Sequence, residues 1–147
     1  MHVAPYDNHN QPVIGSDHAL VPLCYFNIVK LQRGESFTTA VPGYETAVVP
    51  ATGTVDVKVM GERFDGIGQR QAHVWDGEPE GVYVPTGSPA TITCVSDRAE
   101  VFVAGARFDT VLKPFAVRAA DIDPVQAGPD DTTTQIKIKH ILGSNDH

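Results

Sequence analysis

Six histidines, His2, His9, His18, His73, His140 and His147, are the side chains of this sequence best suited to holding a metal or moving a proton. A mononuclear metal site on strands brings two imidazoles to one face by i, i+2 spacing and adds a third His, Glu, Asp or Cys. No two of the six are spaced that way, and they scatter along the chain, as surface or singly hydrogen-bonded histidines do. Paired carboxylates occur at Glu78 and Glu80, around Pro79, and at Asp121 and Asp123, before Pro124. Acidic residues in such loops are ordinarily solvated rather than set up as an acid and base. There is no Gly-x-Ser-x-Gly elbow, phosphate-binding loop or dinucleotide fingerprint, so those enzyme classes drop out.

Two side chains remain as binding candidates. Arg70 lies in a glycine-flanked loop ahead of Trp75, and its guanidinium can take a carboxylate through two parallel hydrogen bonds. Tyr83 enters a rigid corner. Outside a site, Arg70 reads as a structural ion-pair partner and Tyr83 and Trp75 as core aromatics. Cys24 and Cys94 sit in apolar runs, where a thiol behaves as a small buried hydrophobe, and neither has a histidine or cation beside it. A disulfide between them is not expected in a reducing compartment. No residue is assigned as catalytic, His73 and Cys94 included.

The stretch that must position these residues is Gly81 to Cys94, GVYVPTGSPATITC. Two alternating apolar runs meet there at Pro85-Thr86-Gly87 and Pro89; proline fixes φ and glycine supplies an angle other residues avoid, which makes a tight corner between two strands. Such a corner commonly rims a ligand or metal site at a barrel mouth. Upstream, CYFNIVKLQ from Cys24 is a strand ending at Arg33-Gly34, and a second extended piece turns at Pro42-Gly43. TVDVKV alternates Val55, Val57 and Val59 against Asp56 and Lys58, and Met60-Gly61 closes a hairpin over 54–64. FDGIGQRQAHVWDGEPEG predicts a loop around one short strand centred on Val74. AEVFVAGARF is a further strand, FAVRAADIDPVQAG an extended segment or short helical turn, and TTTQIKIKHIL a last strand. About nine strands with no sustained helical period predict an all-β fold, an antiparallel, jelly-roll-like single barrel. The expected organisation is an irregular arm over 1–22, the barrel over 23–142 and a tail over 143–147.

A chain of 147 residues fits one domain and buries roughly 70% of its unfolded surface. With a formal net charge of −7 and no cluster of Lys or Arg, it repels phosphate backbones and anionic membranes, so neither nucleic acid nor membrane is an expected partner. The first 18 residues hold no Lys, Arg or long apolar run and do not read as a secretory signal; the expected location is cytoplasmic.

Several of these motifs, taken together, resemble a family. Gly34-Glu35-Ser36, Gly66-Ile67-Gly68 with Arg70 and Val74, and above all Val82-Tyr83-Val84-Pro85 with Gly87 are similar to the amino-terminal half of the 5-deoxyglucuronate isomerases of myo-inositol catabolism. Those enzymes belong to the cupin superfamily and are related to the 5-keto-4-deoxyuronate isomerases. KIKHIL resembles the link between their two barrels, and the resemblance covers roughly Leu23 to Leu142. It implies a cupin-type barrel and an aldose–ketose isomerisation of 5-deoxyglucuronate to 2-deoxy-5-ketogluconate. Where the cupin motifs carry metal-binding histidines this sequence has Ala40, Pro42 and Ala90, with Glu45 within one residue of the motif's glutamate. The resemblance therefore implies no metal in this chain, and a divalent ion such as zinc or manganese only in a second barrel that the sequence does not include. Arg70, Tyr83 and Glu45 are the expected substrate-binding residues. The expected partners are a sugar acid and either copies of the chain or a metal-bearing barrel. A binding barrel without turnover, or one that mainly packs against another barrel, are the competing readings; an exposed apolar face along Tyr25–Leu31 or Phe102–Phe108 would favour the last.

Overall fold

In a computed structural model, residues 7–128 and 136–141 are described. His2, His147, the tail over 143–147 and positions 132–135 and 142 of the expected last strand lie outside them. The strands are β1 (Cys24–Gln32), β2 (Ser36–Thr39), β3 (Tyr44–Thr52), β4 (Val55–Val59), β5 (Glu62–Ile67), β6 (Gly81–Val84), β7 (Ala90–Cys94), β8 (Arg98–Arg107), β9 (Phe115–Val117), β10 (Val125–Ala127) and β11 (Ile136–Ile138), with a 3-10 turn over Ala119–Asp121. Five of them form an antiparallel sheet in the order β1-β8-β3-β6-β9, four a second sheet in the order β2-β7-β4-β5, and β10 pairs with β11. The all-β, antiparallel expectation holds.

Strict alternation explains why the two large sheets face each other. Successive strand residues point to opposite faces, so Val48, Val101 and Val103 from one sheet meet Val55, Val57 and Ile92 from the other, all fully buried. The ladders do not run from one sheet into the other, and the barrel is therefore flattened into a sandwich. At the corner between β6 and β7 the chain passes from the five-stranded to the four-stranded sheet: Pro85 and Pro89 have no N–H to donate, so neither ladder can continue through them. Gly87, at φ +65°, turns the corner and donates its N–H to the Tyr44 carbonyl at 3.1 Å. The β4–β5 hairpin turns on Met60 and Gly61, both at positive φ (51° and 84°), as a two-residue turn matched to strand twist requires.

The outward faces of the two sheets differ. On the four-stranded sheet the outer face is polar: Ser36 and Thr38 pair with Thr93 and Thr91 through their hydroxyls, and Arg63 bridges Asp56 and Asp65. On the five-stranded sheet the outer face has an apolar middle, with Phe26, Ile28, Val49 and Phe102 half-buried and Ala104 and Ala106 exposed, and charged ends at Glu45 and at Lys30, Arg98 and Glu100. Ile141 lies on this face, crowding the space a Cβ on Gly81 would need at 3.0 Å.

Three sequence expectations change. No strand forms at Val74; the segment between β5 and β6 is irregular and held by side chains, with Asp76 accepting the N–H groups of Ala72 and His73 at 2.7 and 3.0 Å. Trp75, at the crest of that loop, is 87% exposed rather than part of the core. Cys24 is exposed because it begins β1 on the outward parity, while Cys94 is buried as expected, and the two thiols are free. The arm, where described, is irregular but anchored: Asn8 donates to Asn27 Oδ1 and to the Ile28 carbonyl, both at 2.9 Å, and Asn10 receives the Lys30 N–H at 2.8 Å.

Candidate functional site

Glu45 and Tyr83 come together. They lie on neighbouring strands, β3 and β6, with Ala47 the direct partner of Tyr83, and both point away from the core. Tyr44, Thr46 and Val48 take the inward positions of β3, so parity places Glu45 outside. The Tyr83 hydroxyl donates to Glu45 Oε2 at 2.7 Å, and its ring stacks on Phe115 of β9 at 5.0 Å. Beside them lies a shallow groove of about 290 Å³ floored by Ala47, Ala104 and Ala106. Burial, reinforced by the Glu45 carboxylate, pushes the Tyr83 phenol up to about 12. Its proton is held more tightly folded than unfolded, so its contribution to stability is complete below the ordinary value of 10 and is lost as pH climbs from there to about 12. Phenolate absorbance in an alkaline titration should show a late-ionising tyrosine that Tyr83→Phe removes; an unchanged titration would refute the pairing.

Arg70 is elsewhere. Its carbonyl accepts the Gly53 N–H at 2.7 Å and its Nε donates to the Gly77 carbonyl at 3.0 Å, so the side chain closes its own loop. Gly53 follows the far end of β3, about 25 Å from Glu45 at the usual rise per strand residue. Among the described residues Arg70 thus has no ion-pair partner, contrary to the expectation outside a site, and it is no neighbour of the other two candidates.

A larger concavity, of about 590 Å³, opens at that far end of the same outer face. Lys30 of β1 and Arg98 and Glu100 of β8 line it, with Thr52 of β3 and His73 and Val74 from the 68–80 loop. Lys30 is the register partner of Glu100, and Leu31, Ala99 and Val101 between them point into the core, so the charged side chains share the outward parity. Thr52 joins them through a bulge: Pro50 pairs with Val101 but Thr52 with Glu100, so Ala51 is the extra residue and the hydroxyl is turned to the outer face. His73 Nδ1 lies 2.9 Å from Asp76 Oδ1, which orients the ring. The backbone N–H groups of Ala72 and His73 hold the Asp76 carboxyl below the usual carboxylate range. Sequence reading missed this grouping because its members are unremarkable singly and up to 70 residues apart (Lys30 to Glu100); the signal available was the outward parity of Lys30 and Glu100 in their strands.

Glu80, expected to be solvated, is instead 2% exposed. It accepts the N–H groups of Gly68 at 2.9 Å and Ala119 at 3.1 Å and the Gln69 amide at 3.0 Å, with Arg118 Nη1 at 3.5 Å. It pins the loop to the 3-10 turn. Asp121 caps the N–H of Arg118 at 2.9 Å.

The residues do not fit the metal that cupin motifs imply. Ala40 and Pro42 sit in the exposed connection between β2 and β3, Ala90 is fully buried, and Glu45 faces outward. Among the described residues no three His, Cys, Asp or Glu converge on a common point. Nor does the β6–β7 corner offer ligands: Thr86 donates to the Thr110 carbonyl at 3.3 Å, and Pro85 is buried. Among the described residues no helix is long and apolar enough to cross a membrane.

Comparison with known proteins places this fold. An IolB-like protein from Salmonella typhimurium LT2 overlays with a TM-score of 0.80 at 25% identity, over 90% of this chain and 49% of that one. The chain thus spans about half the length of that solved relative. A Pseudomonas aeruginosa protein described as glyoxylate-induced shares the fold more distantly, with a TM-score of 0.54, 12% identity and coverage of 74% and 40% of the two chains. The cupin domain of Schizosaccharomyces pombe Cnp3 overlays loosely, with a TM-score of 0.48, 14% identity and coverage of 67% and 64%, and adds no weight. None of the curated proteins matches the chain. The cupin-type sandwich agrees with the resemblance carried by Val82-Tyr83-Val84-Pro85, and the model of the KduI/IolB family matches residues 3–147. On that match over nearly its whole length, the chain belongs to the KduI/IolB family.

Proposed function

We propose that this chain is the metal-free unit of a sugar-acid isomerase, equivalent to the amino-terminal half of a 5-deoxyglucuronate isomerase, and that it serves the reaction beside a metal-bearing barrel. The observation that carries this reading is the overlay of 90% of the chain on 49% of the Salmonella IolB-like protein. Isomerisation needs a base for the proton α to the carbonyl and an electrophile for the enediolate oxygen. At the histidine positions of the cupin motifs this chain offers neither, since Ala40, Pro42 and Ala90 carry no base and no metal ligand.

Proton NMR of 5-deoxyglucuronate in D2O tests it. The chain alone, with or without manganese or zinc, should give no deuterium uptake at C2. A chimera in which the chain replaces the matching half of the Salmonella protein should give uptake and ketose if the parent does. Turnover by the chain alone with metal refutes the metal-free assignment; a folded but silent chimera of an active parent refutes the contribution to isomerisation.

A second reading, association through the outer face of the five-stranded sheet, is favoured by the half-buried Phe26, Ile28 and Phe102 there. On that reading the chain sediments as a dimer or larger, and Phe102→Glu shifts it to monomer.

A further inference from the structure

We propose that the 590 Å³ concavity at the Arg98 end of the five-stranded sheet is a binding site for a small carboxylate-bearing polyol. The inference goes beyond the isomerase reading and does not depend on it. The volume lies in the range of small-molecule sites. Its lining is richer in cations than the chain as a whole, which carries −7: Lys30, Arg98 and the His73 ring border it with one lining carboxylate, Glu100, while Asp76 is engaged by His73. Among the described residues neither Lys30 nor Arg98 has a carboxylate within ion-pair distance; the same holds for Lys58, Arg70, Arg107 and Lys113, but of these unpaired cations only Lys30 and Arg98 line this concavity together. Asp7 feels the Lys30 charge at longer range. An unpaired guanidinium beside an unpaired ammonium takes a carboxylate as its natural complement, the planar fork giving two parallel hydrogen bonds.

The rest of the wall selects what the carboxylate is attached to. Glu100 accepts hydrogen bonds from hydroxyls and repels a second negative charge, which disfavours a phosphate dianion. The Thr52 hydroxyl, aimed outward by the β3 bulge, both donates and accepts. The His73 ring, with Nδ1 engaged by Asp76, keeps Nε2 for the ligand. Phe102, fixed against Phe26 with ring centroids 5.7 Å apart, presents an apolar surface for a carbon skeleton. A carboxylate for the cations, hydroxyls for Glu100 and Thr52 and C–H groups for Phe102 describe a sugar acid or an aldonic acid.

The single tryptophan, Trp75, is exposed and follows the lining residue Val74 in the chain, which makes it a reporter for the loop that borders the site. D-glucuronate titrated into the intact chain should change Trp75 fluorescence saturably and shift the backbone amide resonances of 72–74 and 98–100. Arg98→Gln should weaken binding by about tenfold or more, the scale set by one charge-assisted contact, and Lys30→Gln by several-fold. Arg63→Gln, which removes the same charge from the opposite sheet, should leave binding unchanged. Glucose, lacking the carboxylate, should not bind, and inorganic phosphate should bind more weakly than glucuronate. No saturation at millimolar glucuronate overturns the proposal, as does equal binding of phosphate, or an affinity indifferent to both Arg98→Gln and Lys30→Gln in variants whose circular dichroism is unchanged. An arm without turnover of 5-deoxyglucuronate in the isomerisation assay leaves this result untouched, so the two proposals fail separately.

Discussion

Gly53→Ala is expected to cost about 4 kcal/mol or more, enough to remove much of a typical domain's stability. Gly53 holds φ at +80°, and a Cβ there would lie 2.2 Å from the Arg98 carbonyl oxygen and 2.7 Å from the Ala99 Cα. Both are backbone atoms of β8, which cannot step aside without breaking its pairing with β1 and β3. Gly34 is the internal control: it has the same φ of +80° but nothing within 4 Å of its Cβ position. Gly34→Ala should therefore pay only for the left-handed backbone, about 1 kcal/mol. Urea midpoints of the two variants separate collision from conformation. If Gly53→Ala comes within about 1 kcal/mol of Gly34→Ala, the close approach of the two backbones is refuted. The position also matters for binding, because the displaced strand is the one that carries Arg98 and Glu100 into the large concavity.

The second large effect is at Glu80. Glu80→Ala should destabilise the chain by about 3–5 kcal/mol, a fall in melting temperature of about 10 °C. The loss comes from orphaned backbone donors rather than from an ion pair. Arg118 keeps its bonds to the Asp65 and Gly66 carbonyls, at 2.7 and 3.0 Å, when Glu80 is removed, but the N–H groups of Gly68 and Ala119 lose the acceptor they share. Glu80→Gln should fall between, since one amide oxygen remains to accept while the amide nitrogen meets donors. Thermal melting followed by circular dichroism decides it; a loss under about 1 kcal/mol for Glu80→Ala would mean that those donors find other partners. The irregular loop from Gly68 to Glu80 is thus fastened at its base by Glu80 and at its crest by Asp76, which makes it a rigid wall for the concavity it borders.

Period-two alternation made the strands legible in the sequence. Val55, Val57 and Val59 against Asp56 and Lys58 announced a strand with one buried face, and the Met60-Gly61 hairpin and the Pro85–Pro89 corner were readable because glycine and proline act locally. The family was legible for a related reason, since Val82-Tyr83-Val84-Pro85 with Gly87 is contiguous. Val74, Trp75, Glu80 and Cys24 were misread. Their burial depends on what another part of the chain places against them, and short apolar or acidic runs in a loop carry no periodicity to settle it.

The sites divide in the same way. Residue types alone determined that the cupin positions Ala40, Pro42 and Ala90 have no imidazole to offer, because an alanine or proline cannot ligate wherever it sits. Tertiary structure alone decided that Glu45 turns outward to Tyr83, that Arg70 spends its side chain on its own loop, and that Lys30, Arg98, Glu100 and His73 share one concavity. Strand parity fixes which face a residue occupies, but only the register between β1, β3 and β8 and the one-residue bulge at Ala51 fix its neighbours there. Register is a property of pairs of strands, and no single stretch of sequence contains it.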